Sequence, residues 1–291
     1  MQIIENELIN IAIRAALLGA NEIVKQYKLI DTNITIKSDC SPVTLADIAS
    51  EKIIKQILAE SMLPIISEET DIQPYSVRKN FNYYWLVDPL DGTKEYIAKN
   101  DEFAINIALI KNNKPIWGVI VAPALNILWM GGENHPVKKA LLPKKFELTD
   151  PSELINNLIF TSPSQVENTT NTPILLTSRH HLNKETNELI THISKHFDVV
   201  CNAYGSSLKQ CLIADGSADL YFRFGTTMEW DTAAGHALLS SCDCSLYSLP
   251  HLNPLAYNKQ SLENESFICY NNKPSTLKII NFIQNHLSEN R

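Results

Sequence analysis

The segment from Phe103 to Met130 constrains the fold more than any other part of this chain. Three apolar runs, Phe103–Ile110, Ile116–Ala122 and Asn126–Met130, are separated only by the turn signals Asn-Asn-Lys-Pro and Pro-Ala-Leu. Runs so closely spaced read as neighbouring strands of an antiparallel meander. Upstream, Asn33–Lys37 alternates like a strand, Thr44–Glu60 has helical periodicity, and Leu63–Ser67 and Tyr83–Val87 are short apolar strands. Residues 133 to about 172 are polar, Pro-bearing and weakly periodic, and a sub-domain boundary is placed there. Beyond it strands and helices alternate: Ile174–Ser178, Lys184–His196, Val199–Tyr204, Ser206–Asp215, Asp219–Phe222 and Asp231–Ser241, then a last helix, Ser275–Leu287. An antiparallel-plus-helix half (1–150) followed by an alternating half (151–291) predicts a layered α/β sandwich.

Length and charge narrow the function. The 291 residues allow about two domains at roughly 150 residues each. An apolar content of 44% with only nine glycines excludes disordered and collagen-like chains. The net charge of −7 disfavours nucleic-acid binding, and an anionic substrate would need local cations to enter. The six cysteines form no C-x-x-C pair, which suits free thiols in a reducing cytosol. Glu5 and Glu7 stand where a signal peptide would carry Lys or Arg. The N-terminal helix is instead amphipathic, with Ile11, Leu17, Leu18 and Ile23 at helical spacing. No segment reads as a transmembrane span. The expected location is cytoplasmic, a placement that leaves room for loose attachment to the inner face of a membrane.

The chemistry concentrates in Trp85-Leu-Val-Asp88-Pro-Leu90-Asp91-Gly92-Thr93. An apolar strand delivers Asp88 at its carboxyl end, where α/β proteins commonly place ligands. Pro89 and Gly92 shape a turn in which Asp88, Asp91 and the Leu90 carbonyl can converge, a hard-oxygen set that suits Mg²⁺ or Mn²⁺. The structural alternative is an Asx-turn with two solvated aspartates. Glu68 and Glu69 follow another strand, and Asp231 opens an apolar helix, where an N-cap would account for it equally well. Carboxylates gathered at one place repel unless cations neutralise them. Tyr204-Gly-Ser-Ser-Leu-Lys209 follows a strand and opens a helix, so its amides and Lys209 form a candidate phosphate cradle, with simple capping as the alternative. Arg223 could add a bidentate phosphate contact or lie exposed.

Together these segments resemble the inositol monophosphatase superfamily, and within it the 3′(2′),5′-bisphosphate nucleotidases. The similarity is carried by Lys37-Ser-Asp39-Cys-Ser-Pro-Val-Thr44-Leu-Ala-Asp47, Ser67-Glu68-Glu69, Trp85 to Thr93 and Gly205-Ser-Ser-Leu-Lys209. It continues through Ala218-Asp-Leu-Tyr-Phe-Arg223, Glu229-Trp-Asp-Thr-Ala-Ala-Gly-His236 and Pro254-Leu-Ala-Tyr-Asn-Lys259. The resemblance implies a five-layer αβαβα sandwich of the inositol monophosphatase and fructose-bisphosphatase type. It also implies Mg²⁺-dependent, Li⁺-sensitive phosphomonoester hydrolysis with two or three metal ions, Mn²⁺ substituting. Glu68, Asp88, the Leu90 carbonyl, Asp91 and Asp231 would hold the metals, with Asp88 bridging two of them. Glu68, Asp47 and Thr93 would be catalytic, Asp47 orienting Thr93 to position and deprotonate the attacking water. Glu68, Leu90, Asp91, Gly92, Thr93 and Asp231 would surround the reacting phosphate. His181, Ser206, Lys209 and Arg223 would meet a second phosphate and ribose. His180 replaces the family's usual serine, Gly225-Thr-Thr replaces Gly-Pro-Thr, and Ser240-Ser241-Cys242 replaces a run of small residues.

The expected reaction is removal of the 3′-phosphate of adenosine 3′,5′-bisphosphate to give AMP in sulfate assimilation, with its sulfated precursor as a further candidate substrate. The substrate is thus a small molecule, and the protein a monomer or homodimer. The rivals are an inositol-1-phosphate or sugar-phosphate phosphatase on the same scaffold and a non-catalytic metal- or nucleotide-binding module.

Overall fold

A computed structural model describes residues 2–28, 34–36, 42–143, 155–161 and 172–289. The chain opens with helix α1 (Gln2–Tyr27) and a small hairpin, β1 (Ile34–Ile36) with β2 (Pro42–Thr44). The flanks of β1, including Lys37, Asp39 and Cys40, lie outside the described residues. Helix α2 (Leu45–Leu58) starts at a capping box, in which the Thr44 hydroxyl accepts from the Ala46 N–H and Asp47 accepts from the Thr44 N–H. Then come β3 (Ile65–Ser67), the short helix α3 (Tyr75–Arg78), β4 (Tyr83–Asp91) and the short helix α4 (Thr93–Ile97). The expected meander follows as β5 (Ala104–Lys111), β6 (Lys114–Ala122) and β7 (Ile127–Gly132). It continues through β8 (His135–Leu141) and β9 (Phe160–Thr161), so all seven strands β3 to β9 lie side by side in sequence order.

The polar segment expected to begin a boundary at Glu133 therefore starts as a strand. In β8 only Val137 and Ala140 are fully buried, and Lys138 and Lys139 interrupt them, so the strand lacks an apolar signature. The first sheet also ends at Thr161, beyond the expected division at residue 150.

The second half supplies β10 (Ile174–Ser178), α5 (Lys184–His196), β11 (Val200–Tyr204), α6 (Leu208–Ala214) and β12 (Leu220–Arg223). After β13 (Thr227–Met228) come α7 (Glu229–Ser240), β14 (Cys244–Ser248), β15 (Glu263–Asn264), β16 (Phe267–Asn271) and α8 (Pro274–Glu289). Its sheet has the order β11-β10-β12-β16-β14. Strand β16 lies between β12 and β14 and is buried at every position, so alternation cannot reveal it.

Side-chain alternation stacks five layers. In β5, Ile105, Ile107 and Leu109 join Ala12, Ala16, Ile23 of α1 and Ile54 of α2 in one core. The opposite face of the same strand, Ala104, Ala108 and Ile110, joins Leu208 of α6, Ala233 and Leu238 of α7, and Tyr221 and Cys269 of the second sheet. A third core unites Leu175, Leu220 and Ile268 with Leu189 and Ile193 of α5 and Ile279 and Ile283 of α8. The layers are thus α1/α2, first sheet, α6/α7, second sheet, α5/α8. Gly118 makes the central contact possible: a Cβ there would lie 2.6 Å from the Ala234 carbonyl oxygen of α7. Cys201, Cys211, Cys242, Cys244 and Cys269 are free thiols. Among the described residues no helix is long and apolar enough to cross a membrane.

Candidate active site

Strand β4 runs four residues further than Val87. Asp88 pairs with Asn106 and Asp91 with Ala104, so one extra residue bulges out between the two aspartates. Pro89 falls in this bulge, where its missing N–H leaves no ladder bond unmade. The bulge aims both carboxylates at the sheet's carboxyl edge, where β3 delivers Glu68 in parallel with β4. Asp231 arrives from the first turn of α7, where one of its oxygens accepts the Met228 N–H at 2.8 Å. The N-cap alternative therefore accounts for only one Asp231 oxygen.

Glu68, Asp88 and Asp231 each offer an oxygen, all within 4.8 Å of one another. Asp88 is 1% exposed; its Oδ1 accepts the Leu90 N–H at 3.0 Å, and its buried Oδ2 has no hydrogen-bond donor. Burial, followed by the charges of Glu68, Asp91 and Asp231, holds the Asp88 carboxyl well above the usual carboxylate range. Burial and the charges of Asp91 and Glu68 do the same to Asp231. An orphaned buried oxygen among mutually repelling oxygens suits a divalent cation, which relieves repulsion and desolvation together. Asp91 faces the same cavity, while its Oδ2 accepts from the Ser207 N–H and from Asn106 Nδ2.

Thr93 begins α4 directly after Gly92, whose φ of 91° lies in the left-handed region. Its hydroxyl stands 3.3 Å from Asp47 Oδ1 and 3.4 Å from the Leu90 carbonyl. Asp47 is 1% exposed, and its other oxygen is held by the Thr44 N–H and hydroxyl. Its carboxyl is raised, chiefly by burial, against the Thr44 hydrogen bonds that lower it.

These groups open on a cavity of about 390 Å³, lined on its acidic side by Glu68, Asp88, Leu90, Asp91, Gly92, Thr93 and Asp231. The same cavity is also lined by His181, Ser206, Lys209 and Arg223. Lys209 is buried, and burial draws its ammonium down to about 8. Burial and then Arg223, Lys94 and Lys209 draw His181 down to about 4, so it is neutral at pH 7. His181 lines the cavity; His180 stands 4.0 Å from Glu95 Oε1. Every expected site residue except Asp47 lines the cavity, and Asp47 touches it through Thr93.

The expected backbone cradle at Gly205-Ser-Ser is corrected by the structure. The Gly205 N–H donates to Glu102 Oε2 at 2.7 Å and the Ser207 N–H to Asp91. Carboxylates of the first half already occupy these two of the expected donors. Motif reasoning also missed Asn106, 1% exposed, which binds Asp91 through Nδ2 and accepts from the Ser207 hydroxyl at 2.7 Å. Its signal was a lone amide inside the apolar run Ala104–Ile110. Glu229 was missed as a structural group: fully buried, it accepts from the Asn258 and Lys259 N–H groups and from Lys259 Nζ at 2.7 Å.

An acidic cluster at the sheet edge of a five-layer sandwich defines a metal-dependent phosphatase class, and the chain belongs to the inositol monophosphatase family, whose sequence model matches residues 5–284. Within the family it is similar to the 3′(2′),5′-bisphosphate nucleotidase CysQ of Escherichia coli K12, with 37% identity over 239 residues, 81% of this chain and 87% of that protein. It also resembles the crystal structure of CysQ from Bacteroides thetaiotaomicron, with a TM-score of 0.78 and 36% identity across 92% of this chain and 98% of that one. Inositol monophosphatase from Anabaena superposes with a TM-score of 0.69 at 22% identity, covering 98% of this chain and 96% of its own, and shares the fold.

Proposed function

We propose that the protein is a 3′(2′),5′-bisphosphate nucleotidase that removes the 3′-phosphate of adenosine 3′,5′-bisphosphate to give AMP. The observation that carries this is the meeting of Glu68, Asp88 and Asp231 within 4.8 Å in a cavity that Lys209 and Arg223 also line. The carboxylates suit a metal-bound scissile phosphate, and the two cations suit a second anion. Identities of 37–40% to CysQ nucleotidases support the same choice of substrate over an inositol phosphate.

Mg²⁺ would be held by Glu68, Asp88, the Leu90 carbonyl, Asp91 and Asp231; when bound, it supplies charge compensation and lowers the pKa of water. The chain's own groups do the rest. Asp47 draws the Thr93 hydroxyl proton, so Thr93 Oγ1 presents a lone pair to the attacking water and fixes its approach in line with the leaving oxygen. Glu68 lies beside the same water path. Gly92 and Thr93 turn their backbone toward the phosphate at the start of α4. Neutral His181 can accept a hydrogen bond from a ribose hydroxyl, and Ser206, Lys209 and Arg223 meet the 5′-phosphate. The parts of the chain that build the first and the second sheet thus divide the labour, the first contributing most metal ligands and the second most contacts to the rest of the nucleotide. A role in sulfate assimilation and a cytoplasmic location follow from this substrate.

Phosphate release should be compared on adenosine 3′,5′-bisphosphate and inositol-1-phosphate with Mg²⁺. A higher kcat/KM on the bisphosphate is expected, and the reverse order would remove the nucleotidase assignment.

A further inference from the structure

The loop Tyr204–Ser207 that joins β11 to α6 is anchored at one end by Tyr204, which packs on the central core, but Ser206 adopts φ 46°, an unfavourable value for a residue with a Cβ. Groups of the first half hold it: Asp91 and Asn106 take Ser207, and Glu102 takes Gly205. Glu102, on the segment between α4 and β5, uses both its oxygens on the second half. Oε2 accepts Arg179 Nε at 2.8 Å and the Gly205 N–H at 2.7 Å, and Oε1 accepts Arg179 Nη2 at 2.6 Å. Arg179 closes the fork by donating from Nη2 to the Ala203 carbonyl at 2.9 Å. The Glu102 side chain is 14% exposed and that of Arg179 39%, so the strength of the pair lies in its two-pronged charge-assisted geometry rather than in burial.

The strap reaches the cavity through the loop. Lys209 Nζ donates to the Tyr204 carbonyl at 3.1 Å and to the Ser206 carbonyl. An ammonium has three donors, so two of them register Lys209 on the loop while one remains for the cavity. A Cβ added to Gly92 would lie 3.2 Å from both the Glu102 carbonyl oxygen and Ser206 Cβ, so the same loop also abuts the residue that opens α4.

We propose that the Glu102–Arg179 pair is a specificity-determining positioning device: it fixes the Tyr204–Ser207 loop so that Lys209 and Ser206 meet the phosphate of the substrate that is not hydrolysed. This rests on the nucleotidase reading. Neither Glu102 nor Arg179 is among the residues lining the cavity; both act through the loop.

The test pairs two substrates with the same scissile ester, adenosine 3′,5′-bisphosphate and adenosine 3′-monophosphate, across the unaltered protein, Glu102→Gln and Arg179→Lys. In the variants KM for the bisphosphate should rise by about tenfold or more, as expected for a contact displaced by a fraction of an ångström. Turnover of the monophosphate should stay within about twofold, because it makes no contact with the displaced ammonium. Arg179→Lys keeps the charge but loses the fork, and so reports on the strap if Glu102→Gln folds poorly. Equal losses on the two substrates, or none on either, would overturn the strap while the unaltered protein still prefers the bisphosphate. An unaltered protein indifferent to the second phosphate would remove the nucleotidase reading and the proposal together.

Discussion

Adding a single methyl at Gly118 tests whether helix–sheet packing sets the geometry of the acidic cluster. Gly118 lies on β6 where α7 crosses the first sheet. The new Cβ would stand 2.6 Å from the Ala234 carbonyl oxygen and 2.8 Å from its Cα. Both atoms are helix backbone, which cannot rotate aside as the tip of a side chain could. Ordinary contact begins near 3.4 Å, so helix and strand must part by about 0.8 Å. Overpacking of this kind costs about 1–3 kcal/mol. At this chain length that corresponds to a fall in Tm of roughly 2–5 °C. The same helix carries Asp231 one turn earlier, so the displacement also opens the 4.8 Å grouping with Glu68 and Asp88. Mg²⁺ tolerates little deviation from coordination distances of about 2.1 Å, so its affinity should fall with stability. Misplacement on this scale lowers turnover by about tenfold to a hundredfold. Urea unfolding of Gly118→Ala, together with a calorimetric Mg²⁺ titration, reads both effects. A variant with the original urea midpoint and the original Mg²⁺ affinity would refute the coupling of packing to the site.

Asp88→Asn should lower turnover by orders of magnitude yet leave the metal-free protein equally or more stable, because it removes one charge from a repelling buried group; a collapse of Tm in EDTA would argue against this. Carboxyls raised in the folded state bind protons that the unfolded chain has released, so in EDTA the cluster's contribution should decline as pH rises, and a stability profile with the opposite slope would contradict it. His236 behaves in the opposite sense: burial takes it from 6.5 to about 4, so its contribution is complete above pH 6.5 and disappears as pH falls toward 4, at most about 3 kcal/mol. His236→Gln should flatten that acid limb of the urea-midpoint profile. Lys259→Met leaves the buried Glu229 carboxylate without its cation and should cost about 3–5 kcal/mol by chemical denaturation. Thr93→Val should reduce kcat with little change in KM or Tm, since it deletes one hydroxyl facing Asp47 and the cavity; an equal rise in KM would make Thr93 a binding group instead.

Local pattern alone determined the meander, the alternation of the second half and the acids at the strand ends. Each of these depends on a period of two or three to four residues, or on turn chemistry between neighbours. The candidate metal ligands could be picked out for a related reason: Asp88, Leu90 and Asp91 share one turn, and Glu68 ends a strand of its own. Strands β8 and β16 were not legible. One mixes lysines with its few buried side chains, and the other is buried on both faces, so neither shows alternation.

Tertiary structure alone decided which donors were already taken. The amides of Gly205 and Ser207 look free in the sequence, yet Glu102 and Asp91 reach them from more than a hundred residues away. Asn106 reads as an anomaly in an apolar strand until its register beside Asp88 places it between Asp91 and Ser207. Hydrogen-bond saturation and mutual charge depend on distances across the fold, which local periodicity does not encode. For that reason the residue types that do the chemistry could be read along the chain, while the assignment of each oxygen and amide needed both halves in place.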